Sequence, residues 1–250
     1  MNRQELNRRV IIALDVKNKG EALTLVSRLR EASIFKIGLE LFTAEGPALF
    51  KKLRVLRKSV FLDLKLHDIP NTVAGAVRSA VRLGVEMMTI HASGGGEMMA
   101  RAVEAASGEA ERVRMPRPIL LGVTVLTSLK SGDLREIGFP PDAAGQVLRL
   151  AGLARTAGLD GVVCSPQEIE LIKKEFGRDF LVVTPGIRPL WAAAQDQKRI
   201  MTPGEAVERG ADYLVVGRPV TGDPSPADAF AKIVEELERA KASAGDKDRA

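Results

Sequence analysis

The chain has 250 residues, 28% charged and 45% hydrophobic, the balance of an ordinary folded domain rather than a disordered or fibrous chain. Its formal charge is +5, yet the basic residues are dispersed and mixed with acids, as in 31–36 and 168–174. No basic run carries interleaved aromatics, so the charge argues for anionic small substrates rather than nucleic acid. The single cysteine, Cys164, cannot form an internal disulfide and reads as a small buried strand residue. The apolar run 10–14 is too short for a secretion signal and is broken by Asp15, and no stretch is long enough to span a membrane. These features set the expectation of a cytoplasmic protein.

In chain order, short apolar runs alternate with longer amphipathic stretches. The candidate strands are 10–14, 35–38, 60–64, 87–91, 119–124, 161–164, 181–184 and 213–217. None shows a clear alternation, as expected of parallel strands buried on both faces. The candidate helices are 20–31, 43–57, 70–83, 96–107, 142–157, 166–176, 203–209 and 226–240. Asp142 suits an N-cap; Pro70, Pro166 and Pro203 suit a first helical turn; Gly84, Gly158, Gly177 and Gly210 suit helix ends. Eight strand–helix units in about 250 residues predict one domain, an α/β (β/α)8 TIM barrel, with a frayed polar tail from residue 243. In such a barrel, function gathers where strands end and the following loops begin.

Those ends carry charge. Asp15 closes the first strand, Lys36 interrupts the apolar run 35–38, and the third strand continues through Asp63, Lys65 and Asp68. Charge in a buried strand is costly unless paired, so Lys36, Asp63, Lys65 and Asp68 read as an alternating array. Asp63 and Lys65 are two apart and share one side of an extended strand. Neighbouring carboxylates favour a protonated lysine, which suits stabilising and protonating a carbanion better than forming a Schiff base. A pair of structural salt bridges is the plainer reading of any single Asp-x-Lys.

The seventh strand runs into Pro185-Gly186-Ile187-Arg188-Pro189 and the eighth into Gly217-Arg218-Pro219. Loops at these two places often bind phosphate, with glycine allowing close backbone approach and arginine a forked donor. The segment from Gly186 to about Thr202, with Trp191 and Gln197, has the length of a lid. Thr127 and Ser128 follow the fifth strand, where hydroxyls can meet a polar heterocycle or simply form a turn. His67 and His91 lack metal-ligand spacing, His91 reading as a structural strand-end residue, and no dinucleotide fingerprint follows the first strand. No metal and no organic cofactor are expected.

The string Asp63-Leu64-Lys65-Leu66-His67-Asp68-Ile69-Pro70-Asn71-Thr72 resembles the signature of the orotidine 5'-phosphate decarboxylases of bacterial type. Asp15 in Ala-Leu-Asp, Lys36 in Lys-Ile-Gly, Thr127 in Leu-Thr-Ser, the Pro-Gly-Ile-Arg-Pro run, Asp196-Gln197 and Val216-Gly217-Arg218 match in the same order. The resemblance implies cofactor-free conversion of orotidine 5'-monophosphate to uridine 5'-monophosphate and carbon dioxide, the last step of de novo pyrimidine synthesis. It makes Lys65 the proton donor to C6, sets Asp63 beside the substrate carboxylate, and lets Lys36 link the array to the ribose, with Asp15 on a ribose hydroxyl. Thr127 would lie near the pyrimidine and Ile69 among the substrate-binding residues. Arg188, Gln197, Gly217 and Arg218 would hold the phosphate, with Gln197 bridging toward the base. Asp68 and Thr72 would reach the neighbouring site of a homodimer.

Two other readings keep the barrel. A magnesium-dependent sugar-phosphate decarboxylase or aldolase shares the Asp-x-Lys-x-x-Asp core, but 67–72 and Asp196-Gln197 look like the pyrimidine branch. A non-catalytic nucleotide-binding dimer would expect decay at Asp63 or Lys65, and both are present.

Overall fold

The computed structural model describes residues 2–192 and 201–247, with side chains as far as residue 242. Eight strands form: β1 (Val10–Ala13), β2 (Ile34–Gly38), β3 (Ser59–Leu66), β4 (Met87–His91), β5 (Ile119–Val123), β6 (Gly161–Val163), β7 (Leu181–Thr184) and β8 (Tyr213–Val216). They follow one another in sequence order into a closed barrel, and the β1–β2, β1–β8, β4–β5, β5–β6 and β6–β7 pairs are parallel. The chain is therefore a (β/α)8 barrel. Covering on both faces explains the strand composition: all four residues of β1 are buried, as are the last three of β7 and of β8.

Helices occupy the connections: α1 (Arg3–Arg9), α2 (Lys19–Arg28), α3 (Leu39–Glu45), α4 (Ala48–Val55), α5 (Pro70–Leu83), α6 (Gly96–Val113), α7 (Ser131–Glu136), α8 (Ala143–Thr156), α9 (Ile169–Phe176), α10 (Pro203–Glu208), α11 (Arg218–Thr221) and α12 (Pro226–Lys247). Asp142 caps α8 by accepting the Gly145 N–H at 3.0 Å, a contact worth about 1 kcal/mol. Pro70 and Pro203 open their helices, and Gly84 ends α5 in the left-handed region.

Four elements differ from expectation. The stretch 43–57 is not one helix: Gly46, at φ 58°, ends α3, and Pro47 caps α4 without an amide proton to continue the ladder. The helix expected over 166–176 opens with a 3-10 turn, Pro166–Glu168. α6 continues past residue 107 to Val113, and α12 runs past residue 240 to Lys247, so the expected frayed tail is helical up to there. The short helices α1, α7 and α11 lie outside the predicted elements.

The chain divides into two compact units, Met1–Phe61 with Thr184–Ala250, and Leu62–Val183. In the first, α12 packs against α1, α2, α10 and α11, burying Phe230, Ile233, Val234 and Leu237. In the second, α5 packs along α6 and buries Val77, Val81, Met98 and Met99. Full burial of each such side chain contributes roughly 1.5–3 kcal/mol.

Just before the strands, cations are spent on backbone carbonyls. Arg9 donates to Asp212 O (2.9 Å) and Ala211 O (2.8 Å), Lys58 to Arg30 O (2.6 Å) and Ala32 O (2.7 Å), and Lys173 to Arg178 O (2.9 Å) and Phe180 O (2.8 Å). Burial pushes the Arg9 and Lys58 pKa values down. Ahead of β5 and β6, Arg117 pairs with Asp160 at 2.8 Å while Asp160 accepts the Leu120 N–H at 2.7 Å.

Between α5 and α6, the side chain of Glu109 is 4% exposed and lies between Arg82 (2.7 Å) and Arg112 (2.6 Å). Hydrogen bonding from Arg112, opposed by burial and reinforced by Arg82, draws its carboxyl from 4.5 down to about 2. A carboxyl lowered on folding stabilises the fold above its unfolded pKa, and that contribution fades as pH falls toward the folded value. Glu109→Gln is accordingly expected to melt below the parent at pH 7, with the gap narrowing as pH falls through 4.5 toward 2. Thermal melts across that range check this; a gap independent of pH would contradict it.

Candidate active site

In the first unit, β1 and β2 pair so that Ala13 lies opposite Lys36, and Leu14 donates to Lys36 O at 3.0 Å. That register carries Asp15, just past β1, to Lys36: Nζ donates to Asp15 Oδ1 at 3.0 Å. The Lys36 side chain is 12% exposed while that of Asp15 is 66% exposed, so the pair spans from strand to solvent. Two glycines keep space beside it. A Cβ on Gly38 would lie 3.3 Å from Lys36 Nζ, and one on Gly217 would lie 3.7 Å from Asp15 Oδ2.

Gly217 follows β8 and caps α11, whose first residue, Arg218, is exposed. Arg188, after β7, is a buried charge at 7% exposure. Its backbone N–H donates to Met201 O at 3.1 Å, beside a parallel bridge between Ile187 and Met201. The two ends of the long β7 loop are thus tied together at Arg188. Gly186, two residues earlier, has φ 78°, a conformation that favours glycine. Trp191, 43% exposed, lies under Lys232 of α12, with Nζ 5.4 Å from the ring centre. Gln197 and Asp196 lie outside the described residues.

The second unit carries the expected Asp63–Lys65 contact. Lys65 Nζ donates to Asp63 Oδ2 at 2.8 Å, with Asp63 9% exposed. The backbone differs from the simple pleat that suggested it. Lys65 has φ 51°, a left-handed conformation that costs a lysine on the order of 1–2 kcal/mol. Thr89 of β4 meets both residues: its Oγ1 accepts the Lys65 N–H at 2.9 Å and donates to Asp63 Oδ1 at 3.0 Å. Sequence reasoning passed over Thr89, although a threonine inside Met-Met-Thr-Ile-His is a polar group that a buried strand must satisfy.

Further along, the rings of His67 and His91 lie 5.4 Å apart. Burial first, then the nearby His67 and Lys65, push the His91 pKa down, with Asp63 opposing. A Cβ on Gly94 would displace the thioether end of Met98 and come within 3.2 Å of the His67 ring. Asp68 is exposed, and its Oδ1 accepts the Ile69 N–H at 2.6 Å. Ile69, 67% exposed, caps α5, and Thr72 in its first turn is also exposed. Thr127 is exposed in the segment after β5. The structure pairs Asp15 with Lys36 and Asp63 with Lys65, while Asp68 is exposed.

Cys164 is buried in the second unit, and burial pushes its thiol up, out of the range of a working nucleophile. Among the described residues no three His, Cys, Asp or Glu side chains gather where they could hold a metal ion, and no helix is long and apolar enough to cross a membrane. Cys164 is expected to resist a thiol reagent such as Ellman's in the native protein and to react once in denaturant; rapid native labelling would contradict its burial.

Residues 8–233 match the family model described as Orotidine 5'-phosphate decarboxylase / HUMPS family. The chain is 49% identical over 243 residues to the orotidine 5'-phosphate decarboxylase of Moorella thermoacetica, covering 96% of each chain. It is 50% identical over 234 residues to that of Syntrophotalea carbinolica, covering 93% of this chain and 96% of the relative. Among solved structures, the orotidine 5'-phosphate decarboxylase of Lactobacillus acidophilus superposes with a TM-score of 0.83 at 39% identity, covering 92% of this chain and 99% of that one.

Proposed function

The chain belongs to the orotidine 5'-phosphate decarboxylase / HUMPS family, and from that premise we infer that it converts orotidine 5'-monophosphate to uridine 5'-monophosphate and carbon dioxide. The observation that carries the chemistry is the Lys65 ammonium held 2.8 Å from the Asp63 carboxylate at the end of a buried strand. The C6–carboxylate bond breaks and its electron pair stays on C6. An ammonium beside that carbon lowers the energy of the carbanion and then transfers a proton to it, and the lysine regains its proton from solvent. Asp63 orients the ammonium and lies beside the departing carboxylate.

The remaining roles follow the charges. Lys36, bonded to Asp15, links the charged residues to the ribose, and Asp15 accepts from a ribose hydroxyl. Arg188 and Arg218, with the Gly217 backbone and Gln197, grip the phosphate; a buried guanidinium such as Arg188 favours an anionic partner. Thr127 and Ile69 border the pyrimidine. Binding energy from the phosphate, remote from C6, is available to the chemical step. Neither a metal nor a cofactor takes part in this reading. The barrel acts as one catalytic domain in the cytoplasm, and two copies pair with Asp68 and Thr72 serving the partner's site; both are exposed in the single chain, free to reach one.

The decisive assay follows the ultraviolet change of orotidine 5'-monophosphate in the presence of EDTA. Turnover is expected to be untouched by the chelator, and Lys65→Ala is expected to lose on the order of 10²–10⁴-fold in kcat while still binding uridine 5'-monophosphate. Chelator-sensitive turnover, or a Lys65→Ala enzyme near parental rate, would remove the proposed mechanism.

The shared site has its own test. Lys65→Ala and Asp68→Ala chains, each impaired alone, are refolded together. Random pairing makes half the dimers hybrids, each with one intact site, so about a quarter of parental activity should return. No recovery would place Asp68 in its own chain's site.

A further inference from the structure

Lys65 is left by its own backbone in an unfavourable state. At φ 51° its backbone departs from ordinary extended-strand geometry, and a part-buried N–H left unpaired would add to the cost. Thr89 removes that second cost. Its hydroxyl is 2.9 Å from the Lys65 N–H and 3.0 Å from Asp63 Oδ1, and Thr89 itself is 1% exposed. An amide N–H only donates and a carboxylate only accepts, so the hydroxyl proton has one available direction, toward Asp63. The other Asp63 oxygen receives Lys65 Nζ at 2.8 Å. A closed circuit results: Lys65 backbone to Thr89, Thr89 to Asp63, and Asp63 back to the Lys65 ammonium. One buried hydroxyl fixes both the root of the lysine arm and the carboxylate that receives its tip.

We propose that Thr89 is a positioning residue for Lys65, holding the backbone of the lysine and the rotamer of Asp63 so that the ammonium is presented in one place. This rests on Lys65 as the proton donor. The chain supplies its own contrast in Thr124, a buried threonine whose Oγ1 donates to Val163 O at 3.0 Å. That bond satisfies a hydroxyl against a backbone carbonyl and touches no charged group in the circuit. Thr124 therefore measures what losing a buried threonine hydroxyl costs by itself.

The test compares Thr89→Val, which keeps shape and removes the hydroxyl, with Thr89→Ser, Thr124→Val and Lys65→Ala, following kcat, KM and melting temperature. Thr89→Val should lose about ten- to a hundredfold in kcat with KM for orotidine 5'-monophosphate held within about threefold, because the bond acts on the proton donor rather than on substrate binding. Thr89→Ser should restore most of that loss, and Thr124→Val should melt lower without losing kcat. Parental kcat in Thr89→Val, equal losses in the serine and valine variants, or a parallel kcat loss in Thr124→Val would each overturn the assignment. Should Thr89→Val fail to fold, Thr89→Ala takes its place under the same criteria. An active Lys65→Ala would instead sink the proton-donor reading, whereas an inactive Lys65→Ala beside a fully active Thr89→Val sinks the role of Thr89 alone.

Discussion

A strand inside a closed parallel barrel is covered on both faces, so any charge it carries must find a partner within reach or stay at an end. Most of this molecule follows from that constraint. The strands are built mainly from apolar residues, and among their polar residues Lys36, Asp63, Lys65 and Thr89 are each bonded to another functional group. At the amino ends the same constraint is met differently. Arg9 and Lys58 reach across to the carbonyls of neighbouring loops, and Lys173 to those of the connection after its own helix, so the partner is the backbone itself. The two ends of the strands thus use cations for different ends: one closes off carbonyls, the other keeps side-chain charges paired and presentable.

The division shows in what substitution would disturb. A cation bonded to two carbonyls is held by groups that cannot move without the backbone, and burial has already lowered the pKa of Arg9 and Lys58. The ion pairs of the candidate site are side chain to side chain, between groups with rotamers of their own. Such pairs need further bonds to have one geometry, and the circuit through Thr89 supplies them for Asp63 and Lys65. The strained φ of Lys65 fits the same pattern, with the local cost met by neighbours that leave the lysine one arrangement.

Much of this was legible in the sequence. Strands β4 and β7 and helix α5 fall where the apolar runs and proline and glycine signals put them, because burial on both faces and helix capping act locally. The break between α3 and α4 was also written there, in Gly46-Pro47, but the amphipathic pattern on either side masked it. The short helices α7 and α11 have too few turns to show a period. At the site, the Asp63–Lys65 pairing was legible from its spacing, yet the left-handed backbone that accompanies it was not, since nothing in Leu-Lys-Leu marks a positive φ. Thr89 escaped for a related reason: its partners lie on another strand, and only the register of the sheet brings them to it.

Trp191 is the only tryptophan in the chain, and its ring lies beneath the Lys232 ammonium of α12, near the base of the loop that Arg188 and Met201 tie together. Indole emission shifts with the electric field and the polarity around the ring. The unaltered protein therefore carries a single-site optical probe at the border of the loop after β7, with no second emitter of its kind to dilute the signal. A spectroscopist could follow any change around that ring in real time, in the natural chain and without attaching a dye.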